Sequence, residues 1–177
     1  MRKYFLKSDR IGFSLWTGND LAFAMKLWGE PEVTHFICAS GKFSIRNIEE
    51  RLQVEIENYK NNNVQYFPIF ELESGDLLGC CGLRPCVDEK DAFELGFHLR
   101  KEYWHQGYAF EAAAAMIQYA FTELKAGKLE AGHHPQNVAS QKLLTKLGFQ
   151  YIGDSFYKPT GMNHPSYILK NEVQISD

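Results

Sequence analysis

The sequence lacks any apolar run near the about 18 residues that a membrane-spanning helix requires, so no such helix is expected. It also lacks a one-sided charge. Lysine and arginine total 19 against 22 aspartates and glutamates, a formal net charge of −3, with both signs mixed along the chain. No polybasic footprint marks a nucleic-acid or membrane partner, and neither partner is expected. The opening stretch MRKYFLKSDR is too polar for a secretory leader. Cysteines are few: Cys38, Cys80, Cys81 and Cys86, with two of them adjacent and none at zinc-ribbon spacing. Reduced, partly buried thiols in a cytoplasmic protein are the reading, with no metal. There are no internal repeats, linkers or low-complexity segments.

What is present suits a packed globular chain. At 177 residues, 45% apolar and 14% aromatic, one domain over residues 1–177 is expected, with material for a sizeable core. Residues 10–16 alternate Ile11, Phe13 and Leu15, a half-buried strand. Thr17 to Asn19 offer caps to a helix carrying Leu21, Ala24, Met25 and Trp28, which Gly29 and Pro31 stop. Ser44 caps a second helix with the stripe Ile45, Ile48, Leu52, Ile56 and Tyr59, ended by residues 61–63. YFPIFELESGDLLGCCGLRP reads as a hairpin turning at 74–76, with Pro68 placing an edge or an irregular start. Phe93, Leu95, Phe97 and Leu99 then alternate with Glu94, Gly96 and His98. A helix with Ala113, Ile117, Ala120, Phe121 and Leu124 follows, with Gly127 as its stop. A short strand at KLEAGHHP, a helix from Asn137 to Gly148, and the strands FQYIGDSFYK and PSYILKNEV close the chain. The class is α/β with a mixed sheet.

The segment WHQGYA joins a strand to a long helix. Gly107 has no Cβ, so backbone can approach a ligand there. The helix behind it begins with unpaired N–H groups at the positive end of its dipole, which favours an anion such as a pyrophosphate. A simple tight turn needing glycine fits the loop equally well. A Walker loop does not, because no lysine follows Gly107, and neither does the three-glycine dinucleotide fingerprint.

ELGFHLRKEYWHQGYAFEA (94–112) resembles motif A of the GCN5-related N-acetyltransferase (GNAT) superfamily. The general motif is Gln/Arg-x-x-Gly-x-Gly/Ala. Here Trp104 takes the first slot, Gly107 the fourth and Ala109 the sixth. Tryptophan in the first slot departs from the superfamily pattern but is usual in the branch of the ribosomal-protein N-terminal alanine/serine acetyltransferases. HPQNVASQKLLTKLGF (134–149) is similar to the Pro-x-Asn-x-x-Ser…Leu-Gly-Phe pattern of that branch, and RIGFSLW…ND…LWGEPEVTHFI to its N-terminal segment.

The resemblance implies a twisted mixed sheet splayed between its fourth and fifth strands, residues 93–99 and about 129–134, with helices on both faces and acetyl-CoA as co-substrate in the gap. It further implies that backbone at Phe97, His98 and Leu99 pairs with the pantetheine arm. The loop of Trp104, His105, Gln106, Gly107, Tyr108 and Ala109 would hold the pyrophosphate, and Asn137 and Ser140 would face the cofactor from the other wall. Many superfamily members carry a tyrosine acid where this chain has Leu144.

The implied activity is acetyl transfer to a primary amine by direct attack in a ternary complex. The acceptor is a protein N-terminus, the best-known acceptor of the branch, or a small-molecule amine. The alternative is a non-catalytic module that binds or senses acyl-CoA, and a third reading is a nucleotide-phosphate binder. The chemistry needs a neutral amine, hence a base, and a donor for the developing oxyanion. Glu94 is the candidate base and the N–H of Phe97 or His98 the candidate donor. Ser140 is the candidate proton donor to the leaving thiolate. For Glu94 the plain alternative is a solvated carboxylate, for Ser140 a first-turn helix residue, and for Asn137 an N-cap. Trp28, Phe36, Tyr157 and Tyr167 either line the acceptor pocket or belong to the core. His133 and His134 read as strand-end histidines at the cleft mouth. An acyl-cysteine route through Cys80, Cys81 or Cys86 lacks a paired base. Glu111 complements the helix dipole.

Overall fold

The structure is a computed structural model and describes residues 2–87 and 89–171. One 8-stranded sheet runs through it in the order β1-β2-β3-β4-β5-β6-β8-β7. Its strands are β1 (Leu6–Lys7), β2 (Ile11–Phe13), β3 (Tyr66–Glu71), β4 (Leu77–Pro85), β5 (Ala92–Leu99), β6 (Lys128–Gly132), β7 (Gln150–Tyr157) and β8 (Met162–Lys170). The helices are α1 (Leu21–Trp28), α2 (Pro31–Thr34), α3 (Ile45–Asn62), α4 (Tyr108–Thr122) and α5 (Val138–Lys146). All strand pairs are antiparallel except β5 with β6.

Two apolar clusters cover the two faces of the sheet. On one, Ala112, Ala113, Met116 and Ala120 of α4 and Leu144 of α5 pack on Phe67, Ile69, Cys81, Leu83 and Leu95. On the other, Trp28 of α1 and Ile48 and Leu52 of α3 pack on Tyr66, Phe70, Leu77 and Cys80. Small alanines let α4 sit close to the strands, and burial of its stripe rather than propensity holds it there.

Several local readings are altered by tertiary context. The strand expected over 10–16 shortens to Ile11–Phe13, and Leu6–Lys7 adds a strand before it. Pro31 does not merely stop α1. It opens α2 at the first position, where a missing N–H costs nothing. Pro68 lies inside the sheet, opposite Cys80 of β4. Its carbonyl accepts from Ser14 N–H at 3.0 Å, so its nitrogen faces the side where the short β2 has already ended. Helix α4 ends at Thr122 and not at Gly127. Lys125 turns the chain at φ 56, and Gly127 N–H is drawn to Asp91 O at 2.8 Å. The last expected strand is seen as Met162–Lys170, and its remainder at Glu172 and Val173 lies outside the described residues.

The strands that the resemblance numbers fourth and fifth are β5 and β6. Their parallel pairing covers Ala92, Phe93 and Glu94 against Lys128, Leu129 and Glu130, and both strands run on beyond it. The sheet therefore opens after Glu94.

Candidate active site

The opening between β5 and β6 is a cavity of about 750 Å³. Glu94, Phe97, His98 and Leu99 line it from β5, and Glu130, His133 and His134 from β6 and its continuation. Trp104, His105, Gly107, Tyr108 and Ala109 of the loop before α4 also line it, as do Asn137 and Ser140 at the start of α5. Gln106 is not on that wall. Its amide donates to Glu102 O at 2.7 Å and its carbonyl accepts from Arg10 Nη1 at 3.2 Å.

The alternation of β5 decides which backbone groups face the opening. Arg100 N–H donates to Leu78 O and Cys86 N–H to Ala92 O, so the even-numbered residues of β5 exchange hydrogen bonds with β4. Gly127 N–H donates to Asp91 O on the other side. Phe97 and Leu99 thus turn their N–H and C=O toward the gap, while the His98 backbone is committed to β4. Leu99 O already accepts from the Trp104 indole at 2.8 Å, which anchors the loop to the strand end. Phe97 is left as a strand edge able to pair with an extended ligand.

The loop before α4 alternates in handedness. His105 lies at φ 60 and Gly107 at φ 84, with Gln106 between them at negative φ. Such alternation makes successive N–H groups converge on a concavity that suits an anion. The first internal helical bond recorded there is Glu111 N–H to Gly107 O at 3.1 Å, so the N–H groups ahead of it have no helical partner. Only Arg10 Nη2, at 3.4 Å, would meet a Cβ built on Gly107, so the glycine answers the positive φ rather than crowding. Arg10 stacks its guanidinium 4.2 Å from the Tyr108 ring centroid and donates to Glu111 Oε2 at 2.7 Å. Partial burial pushes the Glu111 carboxyl up, but donors from Ser8 and Arg10 outweigh it and hold it below the usual range. Glu111 therefore ties the N-terminal segment to the first turn of α4.

Residues 10–150 match the acetyltransferase (GNAT) domain family. The chain belongs to that family. It is 28% identical over 148 residues to the N-acetyltransferase p20 of Bacillus licheniformis, covering 84% of this chain and 83% of the relative. Its fold matches a GNAT-family acetyltransferase from Bacillus anthracis with TM-score 0.79 at 21% identity, covering 93% of this chain and 97% of the other. It also matches RimJ of Mycobacterium smegmatis in complex with CoA-disulfide, with TM-score 0.77 at 14% identity, covering 94% and 85%. The protein is an acetyl-CoA-dependent acetyltransferase with the expected α/β architecture. Among the described residues no helix is long and apolar enough to cross a membrane, and no group of His, Cys, Asp or Glu is arranged to hold a metal ion.

In this acetyltransferase the floor of the cleft holds Tyr66, which the sequence did not announce. Tyr66 O–H donates to Glu94 Oε1 at 2.6 Å. A Cβ on Gly96 would lie 2.1 Å from the Tyr66 oxygen, so the glycine makes room for that phenol. Burial, then the Glu94 carboxylate, pushes the Tyr66 hydroxyl well up, so it stays a donor. The Trp28 indole donates to His98 Nδ1 at 3.2 Å, leaving the proton of the neutral ring on Nε2. Burial, then Arg51 and Arg84, holds His98 well below the usual histidine range. Trp28 itself is fully buried and acts through His98 rather than lining the cavity.

Phe36, Tyr157 and Tyr167 do line the cavity, with His134 and His164. Phe36 lies 5.1 Å from His134, and Tyr157 lies 4.7 Å from His164, both between ring centroids. His133 is buried between His134 O at 2.8 Å and the Tyr167 hydroxyl at 3.1 Å. Asn137 caps α5 by accepting from Ser140 N–H at 3.1 Å. Leu144, where a tyrosine acid would stand, is buried and contributes only a hydrocarbon wall. The acyl-cysteine route has no support in the thiols. Burial pushes Cys80 up to about 12 and Cys81 well up, and burial followed by Glu130 pushes Cys86 up to about 12.

Proposed function

We propose that the protein moves the acetyl group of acetyl-CoA to a primary amine by direct attack within a ternary complex, with Glu94 as the base. The observation that carries this reading is the placement of Glu94. It lines the cleft from β5, accepts from the Tyr66 hydroxyl, and is the last residue of β5 in register with β6 before the edge that Phe97 leaves free. Bound acetyl-CoA supplies a thioester carbonyl as the electrophile. The loop of His105, Gly107, Tyr108 and Ala109 fits its pyrophosphate, and Phe97 and Asn137 fit its pantetheine arm from opposite walls.

Glu94 takes the proton from the incoming ammonium, directly or through a water. Phe97 N–H is the donor aimed at the thioester oxygen, since the His98 N–H faces β4. As the C–N bond forms and the C–S bond breaks, the remaining surplus proton on the attacking nitrogen passes through the Ser140 hydroxyl, on the α5 wall, to the leaving sulfur, so Ser140 ends protonated and CoA leaves as the thiol. Phe36, Tyr157, Tyr167, His134 and His164 form the wall that the acceptor meets. Its amine belongs to a small molecule or to a protein N-terminus.

The test is acetyl-CoA turnover across a panel of peptides and small amines, read by thiol release and by mass spectrometry of the acceptors. A mass increase of one acetyl group on an amine is expected. Tight acetyl-CoA binding with no acetylated amine anywhere in the panel would overturn the reading in favour of a binding module.

A further inference from the structure

We propose that the acceptor carries a carboxylate close to its amine, received by Arg51 and Arg84 while Glu94 takes the amine. This rests on the acetyl-transfer reading above and deepens it. Arg51 projects from α3 and Arg84 from β4, and both line the cavity next to Glu94. They share one counter-ion. Arg51 Nε and Arg84 Nη2 each donate to Glu55 Oε1 at 2.8 Å. The other Glu55 oxygen accepts from Tyr66 N–H at 2.8 Å, and the side chain is fully buried.

One carboxylate therefore faces two guanidinium groups. Arg51 Nη2 and Arg84 Nε are buried without a hydrogen-bond partner among the described residues. A single arginine would satisfy Glu55, burying ions is costly, and neither guanidinium is ion-paired with a second carboxylate among the described residues. Buried donors left unpaired in a native site call for an explanation.

The aromatic surroundings fix the pair in place. The Arg84 guanidinium carbon lies 4.4 Å from the Tyr66 ring centroid and that of Arg51 5.3 Å, with Trp28 also 5.3 Å from Arg51. Stacked, planar guanidinium groups of this kind suit a carboxylate. Other acids lining the cavity already have cations: Glu32 pairs with Lys101 at 2.6 Å and Glu130 with Lys128 at 3.0 Å. Glu94 is held by a neutral hydroxyl instead, and it is the register partner of Arg84 on the neighbouring strand. The floor thus presents a surplus positive charge next to a negative one, the complement of an ammonium and a carboxylate on one small framework. Free amino-acid-like molecules have that pattern, and so does a peptide with an acidic residue at or next to its N-terminus.

The experiment pairs each acid with its amide: L-phenylalanine with L-phenylalaninamide, L-glutamate with L-glutamine, and the amidated tripeptides Ser-Asp-Ala and Ser-Asn-Ala. Acetylation rates are measured with acetyl-CoA, and binding to the CoA-loaded protein by calorimetry. The acid of at least one pair should exceed its amide by at least about tenfold in kcat/KM or in affinity, the worth of one charged hydrogen-bonded contact. A preference among the free acids or for the Asp peptide identifies the source, and either satisfies the proposal. Arg84→Gln and Arg51→Gln should bring the ratio toward one. If they do not fold, the wild-type ratio decides alone. Ratios of one or less in every pair overturn the carboxylate site, even if acetylation proceeds. Acids that bind better than amides, with no acid, amide, peptide or other amine of the wider panel acetylated, leave the carboxylate site standing and overturn acetyl transfer instead.

Discussion

The phenol of Tyr66 crosses the space above Gly96 and donates to Glu94 Oε1 at 2.6 Å. A tyrosine of β3 thereby sets the carboxylate of β5 across the intervening strand β4. Adding a methyl at Gly96 should push the ring aside. Gly96→Ala is expected to cost about 1–3 kcal/mol, the usual range for overpacking. Truncating the ring removes the clash, so the double variant Gly96→Ala/Tyr66→Ala should lose less than the sum of the single variants. Denaturant melts of the four proteins complete the cycle, and additive losses would show that the contact is not made.

Replacing the carboxylate of Glu94 by an amide keeps the shape and removes the base. Glu94→Gln should lower kcat by about 10²–10⁴, the usual worth of a positioned base, with little change in the KM for acetyl-CoA. Steady-state rates at pH values between about 6 and 9 check this. Full activity throughout that range would assign the proton transfer elsewhere.

The loop before α4 depends on a left-handed residue. Gly107→Ala places a Cβ at φ 84, a strain of about 1–2 kcal/mol, with only Arg10 Nη2 near it at 3.4 Å. The KM for acetyl-CoA should rise about tenfold as the loop relaxes away from its N–H concavity. Valine, β-branched, should raise it further. An unchanged KM in both variants would show that the loop does not cradle the pyrophosphate.

His98 makes folding sensitive to mild acid. Its folded-state pKa lies well below the unfolded value near 6.5, chiefly through burial, so below that value the unfolded chain binds a proton that the folded chain refuses. Stability should be fully present above the unfolded pKa and fall as pH drops below it, by at most about 1.4 kcal/mol per pH unit from this group. His134 and His164 are also depressed, by burial and then by neighbouring histidines, and add in the same direction. Thermal melts between about pH 7.5 and 5 should show the slope, and His98→Asn should flatten part of it. An identical slope in the variant would place the effect elsewhere.

The parts of this molecule written in local pattern were legible before folding. Ser44 caps α3, Asn137 caps α5, and the alternation from Phe93 to Leu99 forms β5. What escaped is what tertiary packing creates. Neither Arg51 nor Glu55 was singled out in the sequence, yet Glu55 is fully buried and bonded to Arg51. A signal was present, because Glu55 falls three residues after Leu52 and seven after Ile48, on the same stripe. Tyr66 and Arg84 gave none: each is one side chain in a strand, and only the register of β3, β4 and β5 brings them to Glu94. Helix α4 ran shorter than its pattern because Asp91, distant in sequence, captures Gly127.

The outward-turned edge at Phe97 has a consequence for the protein in solution. A chain laid along it adds rungs to the ladder of β5, so a cofactor there contributes to holding the fold as well as to chemistry. Such a ligand at 100 times its dissociation constant adds about 2.7 kcal/mol to folding. Purified with and without CoA, the same polypeptide should behave in a melting experiment as two proteins of different robustness.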